Sequence, residues 1–597
     1  MQQADTWKTV IALWLADVFL FCATAAVVIW QNSRITVLYD LCGVLEPAYR
    51  MSLGDRPYAD FPFPYAPLTF LIQSWIIRLW GTVYWHHIAY AAVVAGLCTV
   101  LAWRILGRIF RDSFDQPYLA SFILSLPIIP LGVYCVFPHP FYDPDAMFFI
   151  LVSIAFILWL ERRGFPLIPT LVAGMLLVIP LFIKQNIGLA YLGSWVLVLA
   201  ILMVIGVWKR QPVRGWISFS AGAAAGLAIA GLIVQATVGI ETYKYWTWDF
   251  ATLRRTPSPS DMLSVYADPM LAVWVLCIAA GVILFWINKS GRTILSLFAA
   301  LLLGVPFVWP AIYLLIDTDA SERGERLVNV WPVVLVSAFV LSVVAIRRAT
   351  GVKRVLAFIL IATAHGVFLS QQLWGSTYGI WPMFLILLGL CMSSVNELSD
   401  RRAGGWLILT ALLASASLTT AGAFYIYSND RLDYVDFEDG EMQQSSLPQL
   451  SGLSIRGDYL PQFEELVAYV NQNIPPDDGI LALPGEDLFY YTTGRRPRFP
   501  ALLFDVTNNP YSPEEIARSA RERDIRWLIV KNDLQIEVDK TIDDKDHILE
   551  LLKPDFKHIE SLDNYEIYRR KQPGETDDED EDDNDSGDEG DDSDQAK

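Results

Sequence analysis

The feature that most constrains this chain is repetition. Apolar runs of about eighteen residues or more recur along its first 425 positions, each long enough to cross the hydrocarbon core of a bilayer. Inside a bilayer such runs satisfy their backbone polar groups only as helices or closed barrels, and runs this continuous read as helices. The expected fold class is therefore a polytopic α-helical membrane protein, in keeping with a chain that is 54% hydrophobic and 13% aromatic. The first run has no small-residue cleavage site behind it, so it reads as a retained span rather than a cleaved signal.

Hydropathy places spans near 9–30, 84–103, 118–137, 144–160, 166–183, 187–207, 215–238, 268–288, 293–316, 329–346, 354–371, 376–394 and 405–427, about thirteen crossings. The stretch PLTFLIQSWIIRLW, Pro67 to Trp80, is shorter and carries Arg78, and reads as a helix lying at the interface. Arg104, Arg108 and Arg111 follow the second span, and Arg162 and Arg163 the fourth. Lys209, Arg210 and Arg214 follow the sixth, and Lys289 and Arg292 the eighth. Arg347, Arg348, Lys353 and Arg354 follow the tenth, and Arg401 and Arg402 the twelfth. Every second connection is thus short and basic, which the positive-inside rule assigns to the cytoplasm. The N-terminus is expected inside. The first loop (31–83), Asp143, Lys184, the 239–267 loop and everything after 430 are expected on the extracytoplasmic face of an inner (plasma) membrane.

Three parts follow: a membrane domain over 1–430, an extracytoplasmic α/β domain over 431–571 and a disordered acidic tail over 572–597. FEELVAYVNQNIP, EEIARSARERDI and HILELLKP read as helices, GILALPG and RWLIVKND as strands, and FKHIESLDNYEIYRR as a hairpin. The tail holds −13 of the formal net charge of −19, so the acidic balance says little about substrates. Nothing points to a nucleic-acid partner. The six cysteines are irregularly spaced along apolar segments, in neither a disulfide framework nor a metal-ligand pattern.

One loop stands apart. In YDLCGVLEPAYRMSLGDRPYADFPFPYAPL, Tyr39 to Leu68, apolar residues recur at 38, 41, 42, 45, 48 and 49, one face of a helix. Gly54 supplies its end and Pro57 drives Arg56 out of helical geometry. Asp40 projects off the apolar face near the helix start, where the dipole favours a carboxylate. Glu46 and Arg50, spaced i, i+4, read as a surface ion pair.

The order of an acid after span one, then A-Y-x-x-x-x-G-x-x-P-Y-x-D-F and P-L, resembles the GT-C superfamily of membrane glycosyltransferases that use polyprenyl-phosphate sugars. The residues are Asp40, Ala48, Tyr49, Gly54, Pro57, Tyr58, Asp60, Phe61, Pro67 and Leu68. Gly81, then YDPDAMFF (Tyr142 to Phe149) and FIKQNIGL (Phe182 to Leu189), continue it in order. The layout is similar to the bacterial branch with dolichyl-phosphate-mannose-protein mannosyltransferase-like and aminoarabinose-transferase-like members. The resemblance implies that Asp40 is the base that deprotonates an acceptor hydroxyl as it attacks the anomeric carbon of a lipid-linked sugar, with inversion. The partners it implies are a polyprenyl-phosphate-linked sugar, membrane lipid, and an acceptor glycan, lipid or protein.

Some relatives carry a lysine where this chain has Tyr65, so another cation must meet the donor phosphate. Lys184 is the first candidate, with Arg50 and Arg56 next; Arg254, Arg255, Arg323 and Arg326 read as solvated. Asp143 aligns with an acid that relatives place before span four, and with Asp145 it would position the acceptor or hold a divalent cation; the same Asp-Pro-Asp also suits a helix cap. No cofactor is required. His86, His87 and His139 read as interfacial residues, and Asp17 and His365 as packed polar groups within spans. In the C-terminal part Tyr490, Tyr491 and Arg495 fit either a sugar contact or a core helix closed by Gly494. The alternatives are a multi-span transporter or flippase of lipid-linked sugars, which calls for an internal repeat that is absent, and an O-antigen ligase or polymerase-like enzyme, which places its long outer loop later.

Overall fold

The computed structural model describes residues 2–210, 213–255, 262–288, 291–316, 330–369, 379–427, 440–505, 508–535, 545–572 and 575. The acidic tail expected from 572 onward lies outside them apart from Gln572 and Glu575, as do Arg323 and Arg326.

The membrane part opens with α1 (Gln2–Asn32), α2 (Leu38–Ser52), α3 (Leu68–Trp80) and α4 (Tyr84–Phe110). It continues with α5 (Pro117–Ser125), α6 (Ile128–Leu131), α7 (Tyr142–Glu161), α8 (Leu167–Leu176), α9 (Gln185–Trp208) and α10 (Arg214–Thr237). Further long helices cover Leu271–Ile287, Thr293–Ile316, Trp331–Ala345, Lys353–Phe368, Trp381–Leu398 and Gly404–Tyr427. Each of the thirteen expected segments therefore carries a helix, but among the described residues eight helices are long and apolar enough to cross a membrane. Four further apolar helices among the described residues are shorter: Leu68–Trp80, Leu167–Phe182, Leu271–Ile287 and Trp331–Ala345. The expected span 118–137 is also not continuous: Pro127 and Pro130 break it into α5 and α6, and the chain leaves helix at Gly132.

Burial separates the bundle into an inner and an outer set. The helix Trp381–Leu398 is 83% buried over its most apolar window, whereas α1 is 11% and α10 22% buried. The outer helices turn Val, Leu, Ile and Trp side chains to the surroundings, as lipid-facing helices do. Close approach between α8 and α10 depends on missing side chains: a Cβ on Gly174 would sit 2.1 Å from the Phe219 carbonyl oxygen. Asp17 on α1 forms an ion pair with Arg104 on α4, and His365 meets the Tyr266 hydroxyl at 2.9 Å, so both polar groups within the helices are internally paired. α3 packs Phe70, Gln73, Ile76 and Ile77 inward and leaves Trp75, Leu79 and Trp80 exposed, the arrangement of a helix lying along a lipid surface.

The C-terminal part follows the expected alternation. Short strands β1 (Met442–Gln444) and β2 (Ser454–Arg456) pair antiparallel. Strands β3 (Gly479–Leu483), β4 (Ile525–Lys531), β5 (Phe556–Ser561) and β6 (Tyr565–Arg570) form a sheet of order β3-β4-β6-β5, with β3 and β4 parallel. Helices Tyr459–Asn473, Pro513–Glu522 and Lys545–Leu552 cover it. Its core is continuous with α2: Leu38, Leu41, Leu45 and Tyr49 share one buried cluster with Leu460, Phe463, Tyr491 and Ile567.

Candidate functional site

The site is built around α2. The positions expected to form its apolar face are all buried, and Asp40 sits in its first turn, partly buried. A neighbouring face of the helix is held by the C-terminal part. The Tyr39 hydroxyl donates to Asp505 Oδ2 at 2.5 Å, and the Cys42 thiol to the Gly485 and Asp487 carbonyls at 3.1 Å. Glu46 Oε1 accepts the Tyr491 N–H at 3.0 Å. Arg50 donates to the Phe499 and Pro500 carbonyls at 3.0 and 2.8 Å.

Asp40, Gly43 and Pro47, spaced i, i+3, i+7, share one stripe of the helix beside that face. Gly43 and Pro47, with Cys42 and Glu46 of the clamped face, line a cleft together with Phe61, Phe63, Tyr65 and Leu502, and Asp40 stands one turn from Gly43 outside that lining. Pro47 has no N–H to return to the Gly43 carbonyl, so an acceptor oxygen lies one turn from Asp40 on the same stripe. The far wall runs through stacked rings. Tyr65 packs on Tyr142 with centroids 5.4 Å apart, and Lys184 Nζ lies 4.0 Å from the centre of the Tyr142 ring. Lys184 also donates to Asp143 Oδ2 at 3.1 Å, and Gln185 donates to the Pro64 carbonyl at 3.0 Å, tying the start of α9 to the cleft wall.

The predicted residues divide accordingly. Lys184 and Asp143 come together beside the cleft. Asp145 does not join them: Tyr90 and Tyr134 donate to its Oδ1 and Thr69 to its Oδ2, each at 2.7 Å, and it is fully buried. Three hydroxyls converge on its carboxylate, which ties α3, α4 and the segment before α7 together. Among the described residues no group of three His, Cys, Asp or Glu side chains gathers for a metal. Neither aspartate caps α7, whose N-cap is Phe141 without a side-chain bond. Arg50, 3% exposed, pairs with Asp55 at 2.8 Å and lies on the Phe61 ring, so it is a joint between α2 and the C-terminal part. It does not pair with Glu46. Arg56 is an exposed partner of Asp60. Tyr490 and Tyr491 lie in the core helix Phe489–Thr493, closed by Gly494 at φ 70°, and Arg495 donates to the carbonyls of Val470, Ile474 and Pro475.

Two buried groups went unrecognised in the sequence. His87, read as interfacial, bridges Gln73 Oε1 at 2.7 Å and the Tyr491 hydroxyl at 3.1 Å. Glu46 is the second. Burial, assisted by the Asp487 charge, raises its pKa from the usual carboxyl range to about 8. Cys42 and Tyr49 face it from its own helix, and Asp487, Tyr490 and Tyr491 from the C-terminal part. The folded chain keeps this proton up to about pH 8 and the unfolded chain releases it near pH 4.5. Folding therefore takes up a proton in that window, and stability falls as pH rises through it. Glu46→Gln, neutral throughout, is expected to flatten the fall in melting temperature between about pH 5 and about pH 8. A variant with the parental slope would assign that dependence to another group.

No family model and no curated protein matches the chain. Among solved structures, ArnT from Cupriavidus metallidurans bound to undecaprenyl phosphate is similar at 12% identity, over 92% of this chain and 97% of that one, with a TM-score of 0.42. The apo state of the same protein gives 13% identity over the same shares, with a TM-score of 0.40. The Archaeoglobus fulgidus oligosaccharyltransferase in its apo form is similar at 12% identity over 86% of this chain and 69% of that one, with a TM-score of 0.45. At these identities and scores the functional reading rests on the site itself.

Proposed function

We propose that this chain is an integral-membrane glycosyltransferase that moves a sugar from a polyprenyl-phosphate donor to an acceptor hydroxyl on the outer face of a plasma membrane, with inversion. The observation that carries this reading is the stripe of Asp40, Gly43 and Pro47: a carboxylate in the first turn of a clamped helix, one turn along the stripe from the Gly43 and Pro47 that line the cleft. Asp40 takes the proton of the acceptor hydroxyl while that oxygen bonds to the anomeric carbon. The bond from that carbon to the phosphate oxygen breaks, and its electron pair leaves with the phosphate. A phosphate is already a weak base and calls for a cation rather than an acid, unlike the alkoxide that a glycoside hydrolase expels. Lys184 supplies that cation at the end of the stacked Tyr65 and Tyr142 rings. Asp143 holds its ammonium in place.

A membrane assay with a panel of polyprenyl-phosphate sugars tests the reading. Lys184→Ala, combined with Asp143→Asn so that no carboxylate is left buried alone, is expected to raise the apparent KM for the donor about tenfold or more. That is the effect of losing one charge-assisted hydrogen bond of roughly 1.5–3 kcal/mol. An unchanged KM at normal expression would remove Lys184 from the donor site.

A further inference from the structure

The first turn of α2 lacks a cap of its own. Its N-cap position is Val37, whose side chain has no oxygen to accept the N–H groups that a helix leaves open at its start. Those groups belong to the turn that contains Asp40. The missing acceptor comes from the far end of the chain. Gln535 Oε1 accepts the Tyr39 N–H at 3.2 Å, across 496 positions, at the place where a Ser, Asp or Asn N-cap would bond. Gln535 Nε2 reaches the Thr36 carbonyl at 3.4 Å. The glutamine is itself fixed, because its N–H donates to Glu486 Oε1 at 2.9 Å, and Glu486 is held by Lys531 at 2.6 Å.

We propose that Gln535 is the N-cap, supplied from the C-terminal part, of the helix that carries Asp40, and so a positioning residue for the base. This rests on the assignment of Asp40 given above. Tyr39 is the neighbour of Asp40, and fraying of this turn releases the carboxylate from its place on the stripe that continues to Gly43 and Pro47. Gln535 touches neither the cleft nor Asp40 in any bond described; it acts through the helix end.

The test compares full-length wild type, Gln535→Ala and Gln535→Glu in detergent. Hydrogen exchange of the Tyr39 to Leu41 amides is expected to quicken about fivefold in Gln535→Ala, the shift produced by losing a cap worth ~1 kcal/mol. Amides of β3, β4 and β6 should keep their protection. Gln535→Glu retains an acceptor for the Tyr39 N–H and should exchange as the parent does. Where sugar transfer is measurable, Gln535→Ala should lower kcat by a similar factor without changing the donor KM. Unchanged exchange at Tyr39 to Leu41 in Gln535→Ala overturns the cap, whatever the activity. Quickened exchange with restoration by glutamate establishes it even if no polyprenyl-phosphate sugar is transferred, and in that case the failure belongs to the proposed function.

Discussion

Asp40→Asn is expected to reduce sugar transfer by about a hundredfold to ten-thousandfold, the range assigned to a positioned general base, without lowering the melting temperature. Asparagine keeps the size and the oxygen of the side chain but cannot take up the acceptor proton. The substitution leaves untouched the hydrogen bonds that join Tyr39, Cys42, Glu46 and Arg50 to the C-terminal part. Initial rates with saturating donor, alongside thermal unfolding of the same preparation, separate lost chemistry from lost fold. Transfer at the parental rate by Asp40→Asn would disqualify it as the base. Labelling of a cysteine at position 40 from outside intact cells checks the sidedness on which the reading also depends.

The largest loss of stability is expected from Lys531→Ala. Lys531 Nζ lies 2.6 Å from Glu486 Oε1 and 3.0 Å from Asp487 Oδ1, and the lysine and both acids are buried. Burial works against the ammonium, but the two carboxylates outweigh it and hold the lysine pKa above its ordinary range. Removing the cation strands two acids in the interior, which costs roughly 3–5 kcal/mol. Thermal unfolding should show it directly, and the damage should spread to α2, because the Asp487 carbonyl accepts the Cys42 thiol and Glu486 anchors Gln535. Replacing the cluster by apolar residues of similar volume should recover much of the loss. A melting temperature unchanged in Lys531→Ala would mean that the acids take up protons instead.

What could be read from the sequence was whatever depends on local period. The apolar face of α2 announces itself by a spacing of 3.6, and the strands GILAL and RWLIVK by short continuous apolar runs, and each is found at its expected place. The lengths of membrane helices were less legible, because a buried helix in a bundle need not span a bilayer and because Pro127 and Pro130 interrupt a hydropathy run without lowering its average. Partners distant in sequence were not legible at all. Glu46 and Arg50 have the spacing of a surface pair, yet each bonds to the C-terminal part, and Asp145 looked like a helix cap or a ligand until Thr69, Tyr90 and Tyr134 were seen around it. The partners of Arg50 were hidden for the same reason: a cation in an acidic loop has the same spelling whether it meets a phosphate or, as here, two carbonyls.

The separation of α2 from the residues that hold it sets an order of events during biosynthesis. Tyr39, Cys42 and Glu46 leave the ribosome more than 440 positions before their partners at Asp505, Gly485 and Tyr491. A nascent polypeptide can thread its helices into the bilayer long before this turn is fastened. Under the proposed function the geometry around Asp40 is then completed only once residues 485–535 have been translated, so a product truncated before them is expected to be membrane-embedded and inactive.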